Sequence, residues 1–236
     1  PHPPEYAPGD LARAAVAAAI AGRDGLARLS RERIRAELLK LVAAPRAAET
    51  ASAMERAGLL GRLVSCLGDS GRLARSEGQA AIRRLAAFLV RSRADADRLQ
   101  EALRLSKAER ESLAAYAAAL VRLVSRGEID EAEIRRTIFL HGADATACAL
   151  AATKSEPRPR VTEPARILAA RMASGEADPP RFPLTGAALI AAGAEPGPAL
   201  GRRLAAARAA WIAAGCPEVW VESEASAYPP ALYRFS

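Results

Sequence analysis

The chain has 236 residues, enough to bury a substantial core as one large or two small domains. Half of it is apolar but alanine dominates that half, and with leucine, arginine and glutamate abundant and β-branched residues few, the composition predicts an all-α protein in which strands are incidental. A formal charge of +7, carried mostly by arginine, favours polyanionic partners, although solvated helix faces carry arginine too; three scattered cysteines without a C-x-x-C pair predict reduced thiols in the cytoplasm, and no apolar run reaches the ~18 residues of a membrane span.

Residues 1–10 carry four prolines and Gly9 and read as an irregular lead-in without a signal-peptide core. Asp10 is placed to cap an alanine-rich helix over 11–21, with Leu11, Val16 and Ile20 as its larger apolar residues and Gly22 closing it. Gly25 separates it from the next element. Ser30 then caps a helix that Pro45 ends. Ile34, Leu38, Leu41 and Val42 share one face of it, Arg28, Arg31 and Arg35 point away, and Arg33 stands four residues before Glu37. A helix over 46–56 follows with Gly58 at its end, then a turn through Leu59, Leu60 and Gly61; residues 68–78, with Gly68, Gly71 and Gly78, read as a loop.

Helices resume over 80–91 and 96–105. Ser106 and Glu109 form the sharpest capping box of the chain and start a helix through Leu113, Tyr116, Leu120 and Leu123 to Gly127. A second box, Asp130 to Glu133, opens the helix with Ile134, Ile138 and Leu140. His141 and Asp144 invite a metal reading, but the only other histidine is His2 and no further ligand accompanies them. His141 therefore reads as a helix C-terminal residue and Asp144 as the next N-cap, for a helix over 145–153 with Cys148 and Leu150 as core candidates. Pro157 and Pro159 exclude a helix over 155–160, which reads as a linker whose Arg158 and Arg160 stay solvated and can touch phosphate. Thr162, Glu163 and Pro164 begin a helix that carries Ile167, Leu168 and Met172 and ends at Gly175. Residues 228–236 are a proline-broken tail.

The stretch 182–211 reads as two helices joined by a tight turn. Thr185 before Gly186 can cap a short first helix, Gly193 can take the left-handed conformation that ends it, and Pro198 sits where a first helical turn tolerates proline. Backbone N–H groups of Gly197, Ala199, Leu200 and Gly201 are expected to lack intrahelical partners, and the glycines remove side chains that would block approach. Arg202 and Arg203 follow within the next turn. The arrangement suits a phosphate-binding corner, and any compact αα-hairpin also uses glycine and proline at these positions.

Ser30, Glu32, Arg33, Ile34, Glu37, Leu38, Lys40 and Leu41 together resemble a motif in the neck domain of bacterial tRNA nucleotidyltransferases (CCA-adding enzymes) and their poly(A) polymerase relatives. The resemblance implies that Glu32, Arg33 and Glu37 brace the neck helices. The Ser106 to Arg110 cap looks like the body domain of that family. Phe182-Pro183-Leu184-Thr185-Gly186, with Gly193, Gly197-Pro198-Ala199-Leu200-Gly201 and Leu204, looks like its tail-side RNA-binding module; Ala187 and Ala188 stand where relatives often carry a charge.

Nucleotidyl transfer needs carboxylates for two metal ions and a glycine-rich segment for the triphosphate, and the sequence has no Asp-x-Asp upstream of the neck-like stretch and no Gly-Gly-x-x-Arg segment. The resemblance then implies a neck-like remnant over 1–67, a helical body over 68–154 and a tail with the RNA-binding hairpin over 155–236, the catalytic head lying before Pro1. On that expectation the chain alone is no enzyme and holds no cofactor or metal, and Mg and CTP or ATP belong to the head of the parent. The implied partners are the acceptor arm and elbow of tRNA and the head in cis, with a second copy in a homodimer left open as an option and no membrane. Thr185, Gly186, Gly197, Pro198, Gly201, Arg202 and Arg203 are the expected RNA contacts, with Arg158 and Arg160 adding screened attraction. Two alternatives stay open. One is a helix-hairpin-helix DNA-binding module; the other is a protein-interaction or dimerisation domain with Trp211 and Trp220 at its interface.

Overall fold

Ser30 accepts a hydrogen bond from the Arg33 N–H and opens α1 (Arg31–Ala43), as its sequence requires. This computed structural model describes residues 29–221, together with Ala18, Ala21, Gly22, Gly25 and the strand Leu232–Tyr233. The proline-rich lead-in, the body and Asp10 cap of the expected 11–21 helix, Arg28 and most of the 228–236 tail lie outside the described residues. α2 (Ala47–Arg56), α3 (Leu59–Val64), α4 (Ser70–Arg75), α5 (Ala81–Leu89), α6 (Arg93–Leu103) and α7 (Lys107–Val124) follow α1. β1 (Glu128–Ile129), α8 (Glu131–His141), α9 (Ala143–Ala152), β2 (Arg160–Val161), α10 (Glu163–Ser174), α11 (Gly186–Ala191), α12 (Pro198–Ala213), β3 (Trp220–Val221) and β4 (Leu232–Tyr233) complete the chain. The protein is all-α: the strands are two residues each, in one parallel pair, β1 with β2, and one antiparallel pair, β3 with β4.

The chain divides into two compact units, residues 1–121 with 148–156 and residues 122–147 with 157–236, so that two of the three divisions fall within α7 and α9 and the third follows α9. In the first unit α1 packs on α2, α5 and α6, and α4 packs on α2 and α5. Leu38 and Val42 of α1 join Leu73, Leu85, Phe88, Leu99 and Leu103 in its core. Helices on both sides of residue 67 thus share one set of buried apolar contacts. The second unit is built on α8 packed against α10 and on α11 packed against α12, around Trp211, Trp220, Leu184, Leu189 and Cys216.

Several expectations need correction. Residues 68–78 are not a loop throughout, because Asp69 accepts from the Arg72 N–H and caps α4, whose Leu73 is fully buried. The Ser106 box forms in both directions, but the Asp130 box forms in one: Asp130 accepts from the Glu133 N–H, while the Glu133 side chain turns into the protein. Asp144 lies inside the first turn of α9 and is not its cap. The 155–160 segment is not a free linker either. Pro159 is buried, and Arg160 and Thr162 donate to the carbonyls of Gly127 and Ile129 to form the β1–β2 ladder.

Arginine also serves the fold. Arg31 donates to the Glu101 carbonyl at the end of α6, Arg75 to Ala152 at the end of α9, and Arg84 to Ala43 at the end of α1. Arg136 donates to both Ile212 and Ala213 at the end of α12. Each places positive charge at a helix C-terminus, where unpaired carbonyls and the helix dipole attract it. Part of the basic excess is thereby spent inside the molecule and is not offered to partners.

Candidate nucleic-acid interface

The hairpin forms as its sequence predicts. Thr185 Oγ1 accepts from the Ala188 N–H at 3.1 Å and caps α11. Gly193, at φ 94°, lets the chain turn back: its N–H reaches the Ile190 carbonyl and that of Ala194 reaches Leu189, with Leu189 and Ala194 both buried. Gly197 then takes φ 155° and ψ −177°, a conformation reserved to glycine, and hands the chain to Pro198 as the first residue of α12. The row from Glu195 to Ala199 is exposed.

One part of the corner differs from expectation. Leu200 and Gly201 turn their N–H groups to the Gly197 carbonyl, at 3.1 and 3.4 Å, so those two are not available as strong donors. The N–H groups of Gly197 and Ala199 take no backbone acceptor among the described residues. The open surface is nonetheless real. A Cβ on Gly197 or on Gly201 would meet no heavy atom within 4 Å, and one on Gly186 would make an ordinary 3.6 Å contact with Leu204. Gly201 therefore has no packing reason to lack a side chain, although glycine weakens a helix.

Behind the corner α12 is anchored on its inner face. The Trp211 ring meets Phe139 edge-on at 4.8 Å and lies 5.6 Å from Phe182, and its Nε1 donates to the Pro217 carbonyl at 3.0 Å. The Arg208 guanidinium lies 5.0 Å from the Phe139 ring, a cation–π contact. With Arg136 holding its last carbonyls, α12 presents a fixed outer face. Arg202 stands exposed on that face, Arg203 is half-buried with a partner inside the chain, and Glu195 places one carboxylate in the turn. Arg158 and Arg160 are exposed at the β2 ladder; no hydrogen bond or ion pair joins them to the hairpin among the described residues. Trp211 and Trp220, which the dimerisation alternative would place at an interface, are buried in the core.

On α1, Glu32 forms an exposed 2.9 Å ion pair with Arg104 just beyond α6, Glu37 pairs with Lys40 of its own helix, and Arg33 is exposed. Contacts from α1 to other helices also run through residues expected to face away: Arg31 to the Glu101 carbonyl and Arg35 to Glu109, the carboxylate that closes the α7 capping box. Burial alone would raise the Glu109 pKa, but the Ser106 N–H and hydroxyl and the Arg35 guanidinium outweigh it and hold the carboxyl below its ordinary range. His141 ends α8; burial, with Arg122 nearby, keeps its imidazole below the usual pKa. No group of three His, Cys, Asp or Glu side chains that could share a metal ion occurs among the described residues, and none of their helices is long and apolar enough to cross a membrane.

No curated protein matches the chain. Residues 12–67, which include α1, α2 and α3, match a family described as the probable RNA and SrmB-binding site of polymerase A. The α1 motif that resembles the neck of the nucleotidyltransferases lies within the match, and the hairpin lies outside it. Over residues 12–67 the chain is similar to the RNA-binding part of polymerase A, which is consistent with a C-terminal region of the poly(A) polymerase and CCA-adding family.

Proposed function

We propose that this chain is the RNA-holding part of a tRNA-nucleotide-adding or poly(A)-adding enzyme and grips tRNA along its acceptor arm and elbow. The observation that carries the reading is the match of residues 12–67 to the RNA-binding part of polymerase A. The hairpin supports it: an uncovered corner at Gly197 to Gly201, with Arg202 exposed beside it on a helix anchored by Trp211 and Arg136, suits contact with a sugar-phosphate backbone. Contacts of this kind fix the position of an RNA without reading its sequence. On this reading nucleotide addition is performed in the cytoplasm by a head in cis, which brings Mg and CTP or ATP, and the present chain contributes no catalytic residue.

The test is a competition titration of the chain with tRNA and with a duplex DNA of similar length. Preference for tRNA, weakened when Arg202 and Arg203 are replaced by glutamate, is the expected result. Duplex DNA bound equally well or better would favour the helix-hairpin-helix DNA module. A chain that binds neither and forms a salt-insensitive dimer would favour the interaction domain.

A further inference from the structure

The β1–β2 ladder gathers arginines that are far apart in sequence. Its strands run parallel, with Glu128 opposite Arg160 and Ile129 opposite Val161, so both chain segments enter the ladder at the same end. Arg126 precedes β1 by two residues, and Arg158 precedes β2 by two. The peptide that follows Arg126 is tied to Arg160 directly, since the Arg160 N–H donates to the Gly127 carbonyl at 3.1 Å. Arg126, Arg158 and Arg160 are all exposed. Asp130, Glu131 and Glu163 lie past the other end, which makes the ladder basic where its strands enter and acidic where they leave.

Arg126 is also surplus to the ion pairing behind it. Glu133 is buried, and Arg122 lies 2.7 Å from one of its oxygens while Arg136 donates to the other at 2.9 Å. Arg126 approaches the Arg122-side oxygen only to 3.6 Å, with its side chain 51% exposed. Three guanidinium groups around one carboxylate leave an excess of positive charge there among the described residues, and the exposed Arg126 is the natural place for an external anion. Glu128 faces Arg160 across the ladder, and no ion pair joins the two among the described residues. The positive end is therefore only partly screened.

We infer that the entry end of the β1–β2 ladder is a second contact for the RNA backbone, with Arg126 as a phosphate-binding residue beside Arg158 and Arg160. This rests on the proposed RNA-binding function and extends it to a residue that neither the family match nor the hairpin includes. Arg122 is the closer partner of Glu133, at 2.7 Å, and Arg126 the longer and more exposed one.

The experiment is tRNA binding by the full chain across a salt series, for the wild type, Arg126→Ala, Arg126→Lys, Arg158→Ala and Arg202→Glu, with thermal unfolding of each variant. Loss of one phosphate contact flattens the log affinity against log salt plot by about 0.7 to 0.9. Arg126→Ala and Arg158→Ala are each expected to show that change, and Arg126→Lys to retain most of the slope because it keeps the charge. A wild type that binds tRNA with salt dependence, and loses it on Arg202→Glu but not on Arg126→Ala or Arg158→Ala, overturns this contact and leaves the hairpin standing. A wild type that binds no RNA overturns both. Should Arg126→Ala unfold, Arg158→Ala carries the test, and an unchanged slope there overturns the inference.

Discussion

Gly201→Ala separates a structural hairpin from a binding one, because the two make opposite predictions for a single methyl group. Gly201 is helical, without a positive φ, and the added Cβ would meet no heavy atom within 4 Å. Alanine should then stabilise the helix by about 0.5–1 kcal/mol. For a cooperative unit near 100 residues this is a rise in Tm of roughly 2–4 °C. The same methyl group would stand where an RNA backbone approaches the corner, so affinity for tRNA should fall while the salt slope, which counts neutralised phosphates, changes little because no charge is removed. Thermal unfolding by circular dichroism and filter binding of labelled tRNA read the two effects on one sample. A variant that is more stable and binds tRNA as tightly as the wild type would refute the reasoning that Gly201 is kept bare for a ligand. A variant that is less stable would show that the space around it is not open.

Gly197→Ala should behave differently, costing about 1–3 kcal/mol as alanine is forced into a glycine-only conformation, which denaturant titration measures. Glu133→Ala leaves Arg122 and Arg136 without their carboxylate and should destabilise the second unit by roughly 3–5 kcal/mol, read as a lower unfolding midpoint. Burial would raise the Asp95 pKa, but the Arg91 and Ser92 N–H groups, the Ser92 hydroxyl and Arg98 outweigh it and hold the carboxyl below its ordinary range. A lowered folded pKa means that this stabilisation is present in full above the ordinary aspartate range near pH 4 and is lost as pH falls through the folded value. Acid unfolding of Asp95→Asn should accordingly be flatter below about pH 4 than that of the wild type. All three cysteines are buried, and burial pushes the Cys216 thiol up to about 11, so a water-soluble thiol reagent should react with them slowly in the native chain and rapidly after unfolding.

Helices whose signals are local were legible in the sequence. The Ser30 cap and the reciprocal Ser106–Glu109 box formed as expected, and so did the Thr185 cap, because a cap needs only residues within three positions of one another. The Ser92–Asp95 box was missed, and with it the start of α6, since aspartate replaces the usual glutamate or glutamine at its third position. α4 was hidden by the surrounding glycines, although Asp69 is an ordinary cap and Leu73 an ordinary core residue. Long-range use of polar groups was not legible at all. Arg136 stands three residues from Glu133, but nothing near Glu133 in sequence says that Arg122 and Arg126 surround it as well, and nothing near Arg31, Arg75 or Arg136 says that each closes the end of a distant helix. Read one by one these look like solvated surface, which is why the positive charge overstates what is available to RNA. At the candidate site, the turn chemistry of Gly193, Gly197 and Pro198 was readable; the expectation of a free Gly201 N–H failed because the fourth residue after the Gly197 N-cap makes the first ordinary intrahelical bond, and the Leu200 N–H turns to the same carbonyl.

Whether the proposed hairpin contact holds RNA by its backbone is decided by the affinity for tRNA as salt is raised, compared between the wild type and Arg202→Glu. Affinity should fall steeply with salt, in proportion to the number of phosphates neutralised, and Arg202→Glu, at an exposed position, should weaken binding and flatten the dependence without lowering Tm. Binding that ignores salt, or that Arg202→Glu leaves unchanged, would contradict the proposed contact.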